Sequence, residues 1–436
     1  MRPELDLVLW RGGMGEATAR LSSPEAIAHL RGRIEGFPLF RPEEYVRLND
    51  DLAGLEGTGH YAEYGVWESH RRFASEKTTA AVLGQLSGGV LPKPEVPDAG
   101  RLAQALAKLR GREVVLHCNR QGRWFTHALA RDLADAFAAV GVQARVADET
   151  ADRSPGPLRV FVSPQEFFTH GAGAEWATLE TLSTSLMYAT EPAESEQFRA
   201  SVPYLLACAG VISPYPQVCA LGGRAGVATL VHLPAGEDDD GTALPDHPIA
   251  RALPRAAKAY DASSDVWSER PIDVSFFGTE TAVRDEFFAG AAPFLAELSC
   301  VIHLTRWYGS PQTQQEGDSR AALTRYVGRR SKVVLNLAES ELASLDWRRA
   351  LMGGFARKAL IVSTPCLPHP LFKPGVHYLE DSWRCLPKLI DWLLRSEDGA
   401  RTAERVRHQA YAALLEHGGR MTAGGALAIF VAEQAR

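Results

Sequence analysis

The chain has 436 residues, 45% hydrophobic and 23% charged, an ordinary globular balance with room for two or three domains and unlike a disordered or fibrous chain. Lysine plus arginine number 47 against 53 acidic residues, a net charge of -6, which argues against whole-surface attraction to nucleic acid or to an anionic membrane. No apolar run has the length of a membrane span, the amino terminus lacks an export signal, and the six cysteines are scattered without CxxC spacing; a cytoplasmic protein with reduced thiols and no zinc site is expected.

In chain order, the Gly12, Gly13 and Gly15 cluster lacks a preceding strand of normal length and is not read as a phosphate loop. Residues 37–75 predict two short helices, PEEYVRLNDDLA and GHYAEYGVWESH, split by the turn-prone GLEGTG. Phe40, Tyr45, Tyr61, Tyr64 and Trp67 there either build a small core against the next domain or form a platform for a partner. A glycine- and proline-rich stretch, LSGGVLPKPEVPDAG, reads as a linker that ends an amino-terminal region of residues 1–100.

From residue 101 to 236 the pattern alternates strand and helix. REVVLHC, VQARVAD, LRVFVS, SLMYAT, GVIS and ATLVHL are short β-rich runs, and THALARDLADAFAAVG is an amphipathic helix closing on glycine. Such alternation predicts a doubly wound parallel sheet. The loop after the first strand carries Asn119, Arg120, Gly122, Arg123 and His127, and later strand ends carry Glu166, His170 and Glu191. Residues 237–270 read as a linker between domains. Asp238, Asp239 and Asp240 in it form a solvated acidic turn rather than a metal-binding DxD, which would close a buried strand.

A second alternating region, residues 271–436, opens with IDVSFFGT and continues with SCVIHLT, SKVVLNL and ALIVST. Gly278 and Thr279 end its first strand, and Arg284 lies in the following helix, where a helix amino terminus and a guanidinium suit a diphosphate; an ordinary tight turn with a solvated arginine is the other reading. His303 and Thr305 end the second strand before a polar loop, RWYGSPQTQQEGDSR. The segment 331–378 reads as strand, helix, strand, placing Asn336, Ser363, Thr364 and the helical Arg348 and Arg349 at one crevice, since ligands in open α/β sheets sit beyond the carboxyl ends of the strands. Arg349 is either a phosphate contact or part of a salt-bridged helix face; Trp347 and Trp383 read as packing residues.

The succession LNL, Arg349, ALIVST, LFKPGVHY, DSWRCLPKLIDWLL and ERVRHQAYAALLEH resembles the carboxyl-terminal half of bacterial glycosyltransferases with two Rossmann-like domains, the GT-B architecture, and more narrowly their spore-maturation-type, group 1-like branch. Tyr45, Asn49, Asp50, Leu52, His60, Tyr61 and Gly65 resemble the small helical modules attached to many such enzymes, a possible site of oligomerisation or partner contact. The resemblance implies an α/β fold of two Rossmann-like domains with a cleft between them and a terminal helix packing back on the first. It implies transfer of a sugar from a nucleotide-sugar donor to a glycan, lipid-linked glycan or protein, with retention and without a metal or other cofactor, in the cytoplasm or at the inner membrane's surface. The donor would be held by Gly278, Thr279, Arg284, His303, Thr305, Asn336, Glu339, Arg348, Arg349, Ser363, Thr364, His377 and Tyr378, with Arg284 and Arg349 stabilising the leaving diphosphate. Asn119, Arg120, Gly122, Arg123 and His127 would face the acceptor; Glu191 or His170 would supply a base if the reaction inverts. One departure is Met352, where the family carries a glutamate that binds a donor hydroxyl; Glu339 or Glu341 would replace it, or the donor is held otherwise. An epimerase or phosphorylase of the same fold, or a non-catalytic glycan-binding derivative, are the other functions such a chain could have.

Overall fold

The computed structural model describes residues 23–68, 71–154, 156–234, 242–305, 314–340 and 342–435. The glycines at 12, 13 and 15, the aspartates at 238 to 240, Glu341 and residues 306–313 of the polar loop lie outside the described residues. The chain divides into two units, the first comprising residues up to His232 together with Arg420 onward, the second Leu233–Gly419.

The first unit holds six strands, β1 (Val114–His117), β2 (Ala144–Ala147), β3 (Leu158–Val162), β4 (Leu186–Tyr188), β5 (Gly210–Ser213) and β6 (Ala228–Val231), in the order β2-β1-β3-β4-β5-β6. All neighbours are parallel. The register sets Val114 against both Ala144 and Leu158, so the chain leaves β1 in one direction, then returns to build the rest of the sheet on its other side. That reversal opens a crevice between the loops following β1 and β3. β1 is buried along its whole length, as a strand covered on both faces must be, which explains its unbroken apolar run.

The amino-terminal helices are not a module hung on a linker. Arg33, in the helix Pro24–Gly36, donates to the carbonyls of Leu206 (2.7 Å) and Cys208 (2.6 Å) at the end of the helix Glu196–Ala207. Trp67 meets Tyr204 edge-on at 5.9 Å. Gly36 approaches the Arg224 carbonyl so closely that a Cβ would lie 2.7 Å from it. The module-like residues form its interior: Tyr45 shares a hydrogen bond with His60 Nδ1 (3.0 Å), Asn49 donates to Tyr45 O (2.8 Å), and a side chain at Gly65 would collide with the Tyr45 hydroxyl. Residues 24–87 therefore extend the first unit, correcting the division at residue 100.

The terminal helix Arg420–Gln434 packs on the helices Ala99–Leu109 and Trp124–Ala139 of the same unit. Gly424 and Gly425 make the approach possible, because a Cβ at either would strike Ala136 O or Pro97.

The second unit contains β7 (Ile272–Thr279), β8 (Cys300–Thr305), β9 (Ser331–Asn336), β10 (Leu360–Ser363) and β11 (Leu379–Glu380), ordered β11-β10-β9-β7-β8 and parallel throughout. Its reversal falls between β7 and β9. Two parallel sheets flanked by helices are the expected α/β class.

Three details differ from expectation. The stretch 237–270 is no free linker in its described part: Trp267 is buried in the core with Val274, Phe276 and Leu335, and its Nε1 donates to Lys332 O at 2.8 Å. A helix, Gln314–Arg330, occupies half of the polar loop after β8. The helix between β9 and β10 is a π-helix of eight residues, Trp347–Gly354, followed by a 3₁₀ turn to Arg357, and π-turns of this kind concentrate at functional sites. No helix among the described residues is long and apolar enough to cross a membrane.

Candidate active site

In the second unit the residues singled out from sequence gather at the crevice between β7 and β9. Thr281 caps the helix Ala282–Leu295, accepting the Arg284 N–H at 3.3 Å, which fixes Arg284 one turn beyond the end of β7. Its side chain turns inward and is fully buried. Nη1 donates to Thr279 O (2.9 Å), Nη2 to Leu337 O (3.0 Å), and the guanidinium pairs with Glu339 at 2.8 Å. Arg284 thus ties the carboxyl ends of β7 and β9 together; it is not the outward-facing phosphate contact that was expected. Burial, aided by the nearby charge of Arg349 and opposed by Glu339, lowers its pKa to about 10, so it stays protonated at neutral pH.

Arg349 lies nearer the mouth, its side chain 14% exposed. Asp346 caps the π-helix by accepting the Arg349 N–H at 3.0 Å and holds the same residue's Nη2 at 3.2 Å, while Arg349 Nε lies 3.4 Å from Asn336 Oδ1. Arg348, 31% exposed, reaches the same carboxylate at 3.4 Å. Burial by itself would raise the pKa of Asp346, but Arg349, Arg348, the capped N–H and Arg284 outweigh it and hold the carboxyl well below the usual range. Arg284 and Arg349 both stand over the Phe276 ring, at 5.4 and 5.7 Å. Gly278 is required because a Cβ would lie 2.6 Å from that ring.

Asn336, Ser363 and Thr364 form the crevice's frame. Asn336 Nδ2 donates to Ser363 Oγ (2.9 Å), its carbonyl accepts the Thr364 N–H (3.2 Å), and Thr364 Oγ1 accepts the Ala338 N–H (3.0 Å). Thr305 donates its hydroxyl to Gly278 O at 3.1 Å. His303 is drawn elsewhere, packing edge-on against Phe277 (5.8 Å) and His247 (6.2 Å). His377 Nδ1 accepts the Lys373 N–H at 3.0 Å and Tyr378 is buried, so both shape their own turn. Met352 lies within the π-helix, and Glu339 reaches the crevice through its pair with Arg284.

In the first unit the corresponding crevice, beyond β1 and β3, assembles a different group. Arg123 pairs through Nε with Glu166 (3.0 Å) and through Nη1 with Glu191 (3.1 Å), while its N–H donates to Glu166 Oε2 at 2.8 Å. Arg120 binds Glu149 at 3.1 Å. A Cβ on Gly122 would approach Asn119 O to 2.9 Å, which keeps this loop tight. Asn119 and His127 hold the loop rather than face a ligand: Asn119 Nδ2 donates to Phe167 O and His170 O, and His127 Nε2 donates to Asn119 O (3.0 Å) while Nδ1 faces the Cys118 thiol at 3.1 Å. The His170 side chain is exposed.

Ser163, at the end of β3, has φ 53°, a left-handed conformation uncommon for a residue with a side chain and frequent at working sites. Its hydroxyl meets Thr190 Oγ1 at 2.8 Å and its carbonyl accepts the N–H of Glu166 at 2.8 Å, so one strained residue sets the positions of both glutamates. Sequence reasoning missed Ser163, Gln165 and Glu149; the Ser-Pro pair closing a strand was the signal for the first. Among the described residues no group of three or more histidine, cysteine or acidic side chains is arranged to hold a metal ion, and none of the six cysteines forms a disulfide.

No family model matches the chain, and no curated protein does. Among solved structures it is similar to Anabaena HepE in complex with UDP and glucose, at 9% identity over 72% of this chain and 97% of that one, with a TM-score of 0.43. An α1,3-fucosyltransferase matches at 10% identity over 81% and 96%, TM-score 0.41. The lipopolysaccharide outer core galactosyltransferase WaaB, in its apo form, matches at 9% over 72% and 97%, TM-score 0.33.

Proposed function

We propose that this chain is a glycosyltransferase that moves a sugar from a nucleotide-sugar donor to a glycan, lipid-linked glycan or protein acceptor. The observation that carries the proposal is the mouth of the β7–β9 crevice, where the partly exposed Arg349 is held by Asp346 and Asn336 near the buried Arg284. A planar guanidinium fork with fixed supports matches phosphate oxygens. Transfer breaks the bond between the sugar and the distal phosphate, so negative charge grows on the leaving diphosphate; Arg349, held by Asp346 and Asn336, is placed to stabilise it with little reorganisation. Glu339 would accept a hydroxyl of the donor in place of the glutamate replaced by Met352.

Charge stabilisation by arginine leads us to propose transfer that persists in chelator, and the sequence resemblance leads us to propose retention of configuration, which proton NMR of the product's anomeric centre would check. The decisive test is calorimetric titration with UDP, GDP and ADP. Binding of at least one, weakened in Arg349→Ala, is the expected result; no binding by any of them would overturn the proposal.

A further inference from the structure

Across β7 from the crevice of Arg284 and Arg349 lies a second cluster of hydrogen-bond donors. Side chains alternate along a strand, so Phe276 turns to the face where both arginines stand over its ring, and Phe277 turns to the other. His303, the register partner of Phe277 on β8, shares that other face, its ring 5.8 Å from Phe277 and 6.2 Å from His247. The helix Gln314–Arg330 brings Arg320 to the same pair, and its charge acts on both histidines. Ser319 Oγ donates to Asp246 O at 2.7 Å, which ties the helix carrying Arg320 to the turn carrying His247.

What these groups lack is a protein partner. Arg270, Arg284, Arg330 and Arg407 each donate to a carbonyl or carboxylate within this unit. The Arg320 guanidinium is half-buried, yet among the described residues it makes no hydrogen bond and no ion pair. The acids around it are exposed: Glu316, one turn earlier, acts on it through space only, and the Asp246 carboxylate is taken by Arg251. His303 also makes no hydrogen bond through its ring among the described residues, and neither ring nitrogen is closed to solvent. His247 uses Nδ1 to accept the Ile249 N–H at 3.2 Å, so its ring proton sits on Nε2, which is left to donate. Burial first, then Arg320, lowers the pKa of both histidines, and each is a neutral ring with one N–H at neutral pH.

One full charge and three donors thus meet from three separate elements. A tetrahedral oxyanion takes donors from several directions, whereas a carboxylate takes them side by side in one plane. A metal cation does not suit the place, because Arg320 repels it and the described residues supply no third ligand beside the two histidines. We propose that His247, His303 and Arg320 form an oxyanion site for a phosphate group, carried by free phosphate or by a phosphate monoester, on the face of the second sheet opposite the Arg349 crevice. It goes beyond the proposed glycosyl transfer and stands whether or not that reading holds.

Long-range proton–nitrogen NMR of the histidine rings in the full chain tests this at fixed ionic strength. Inorganic phosphate and glycerol 3-phosphate are the probes, sodium acetate and zinc chloride the comparators in separate samples, and His247→Gln and His303→Gln assign the two signals. Both signals should move saturably with phosphate, with the ester or with both, and the tighter of the two identifies the source. Arg320→Met should weaken this binding tenfold or more while melting as the native chain does, since the guanidinium holds nothing in the fold. Arg349→Ala should leave the shifts unchanged, and calorimetric affinity for UDP should be unchanged in Arg320→Met, which reports the donor site separately. Five outcomes would overturn the proposal: neither phosphate moves the signals, acetate moves them as far, zinc alone moves them, folded Arg320→Met keeps the native phosphate affinity, or Arg349→Ala abolishes the shifts.

Discussion

Arg284 and Arg349 share the Phe276 ring but differ in surroundings, and their substitutions should separate accordingly. Arg349→Ala removes a partly exposed charge and should weaken nucleoside diphosphate binding by about 1.5–3 kcal/mol, the range for a hydrogen bond to a charged group, with little change in melting temperature. Arg284→Ala leaves the carbonyls of Thr279 and Leu337 without their charged donor in a buried place. It should cost about 3 kcal/mol of stability in urea unfolding. Near-native stability of Arg284→Ala would show that the tie between β7 and β9 is dispensable, and unchanged nucleotide affinity in folded Arg349→Ala would remove that residue from the donor site.

At the level of elements, the π-helix owes its position to glycine. Gly328, in the helix Gln314–Arg330, lies against Gly353, and a Cβ there would collide with the Gly353 carbonyl; Gly354 has no room for one against Ile361. Backbone cannot yield as a side-chain tip can, so Gly328→Ala should destabilise the second unit by about 1–3 kcal/mol in urea unfolding. Asp265 joins the described part of the former linker to two other elements, accepting from Lys358 (2.6 Å) and from Arg407 (2.7 Å). Burial would raise its pKa, but these bonds and charges outweigh it and bring it down from 3.8 to about 2. A depressed carboxylate contributes stability that is complete above its unfolded pKa and is lost as pH falls through the folded one, here between about 4 and about 2. Thermal melts of Asp265→Asn should therefore lie below those of the native chain at pH 7 and converge with them towards pH 2; parallel curves would show that the bonds do not set its ionisation.

For the whole molecule, the first unit draws on both ends of the described chain. Residues 24–87 and the terminal helix Arg420–Gln434 bury apolar faces that include Leu30, Ile34, Leu427 and Phe430. A chain begun near Gly100 should expose the surface around Tyr204 and Cys208 and lose its cooperative fold. Deleting the terminal helix should remove the first unit's calorimetric transition while the second unit, with its own cores around Val333 and Leu323, keeps its own. A soluble 100–436 fragment with native near-ultraviolet dichroism would show that these helices are accessory after all.

Ten of the eleven strands among the described residues could be read from short β-branched runs, because buried parallel strands announce themselves locally; β11, two residues long, could not. The same local signals placed Gly278, Asn336, Ser363 and Thr364 at strand ends, and Arg349 in the helix between two of those strands, and so at one crevice. What they could not decide was direction and partner. Arg284 meets Leu337 across 53 positions, and Arg123 meets Glu191 across 68, so whether an arginine faces ligand or backbone depends on pairings that no helix or strand period encodes. The amino-terminal helices were assigned to a separate module for the same reason, since the faces that cover Leu206 and Cys208 acquire their meaning only when the chain has folded. Composition and periodicity determined the two parallel sheets and where the carboxyl ends of their strands lie; tertiary packing decided that one edge gathers arginines and the other glutamates, because charge at a place in the fold is the sum of residues brought together from distant parts of the chain.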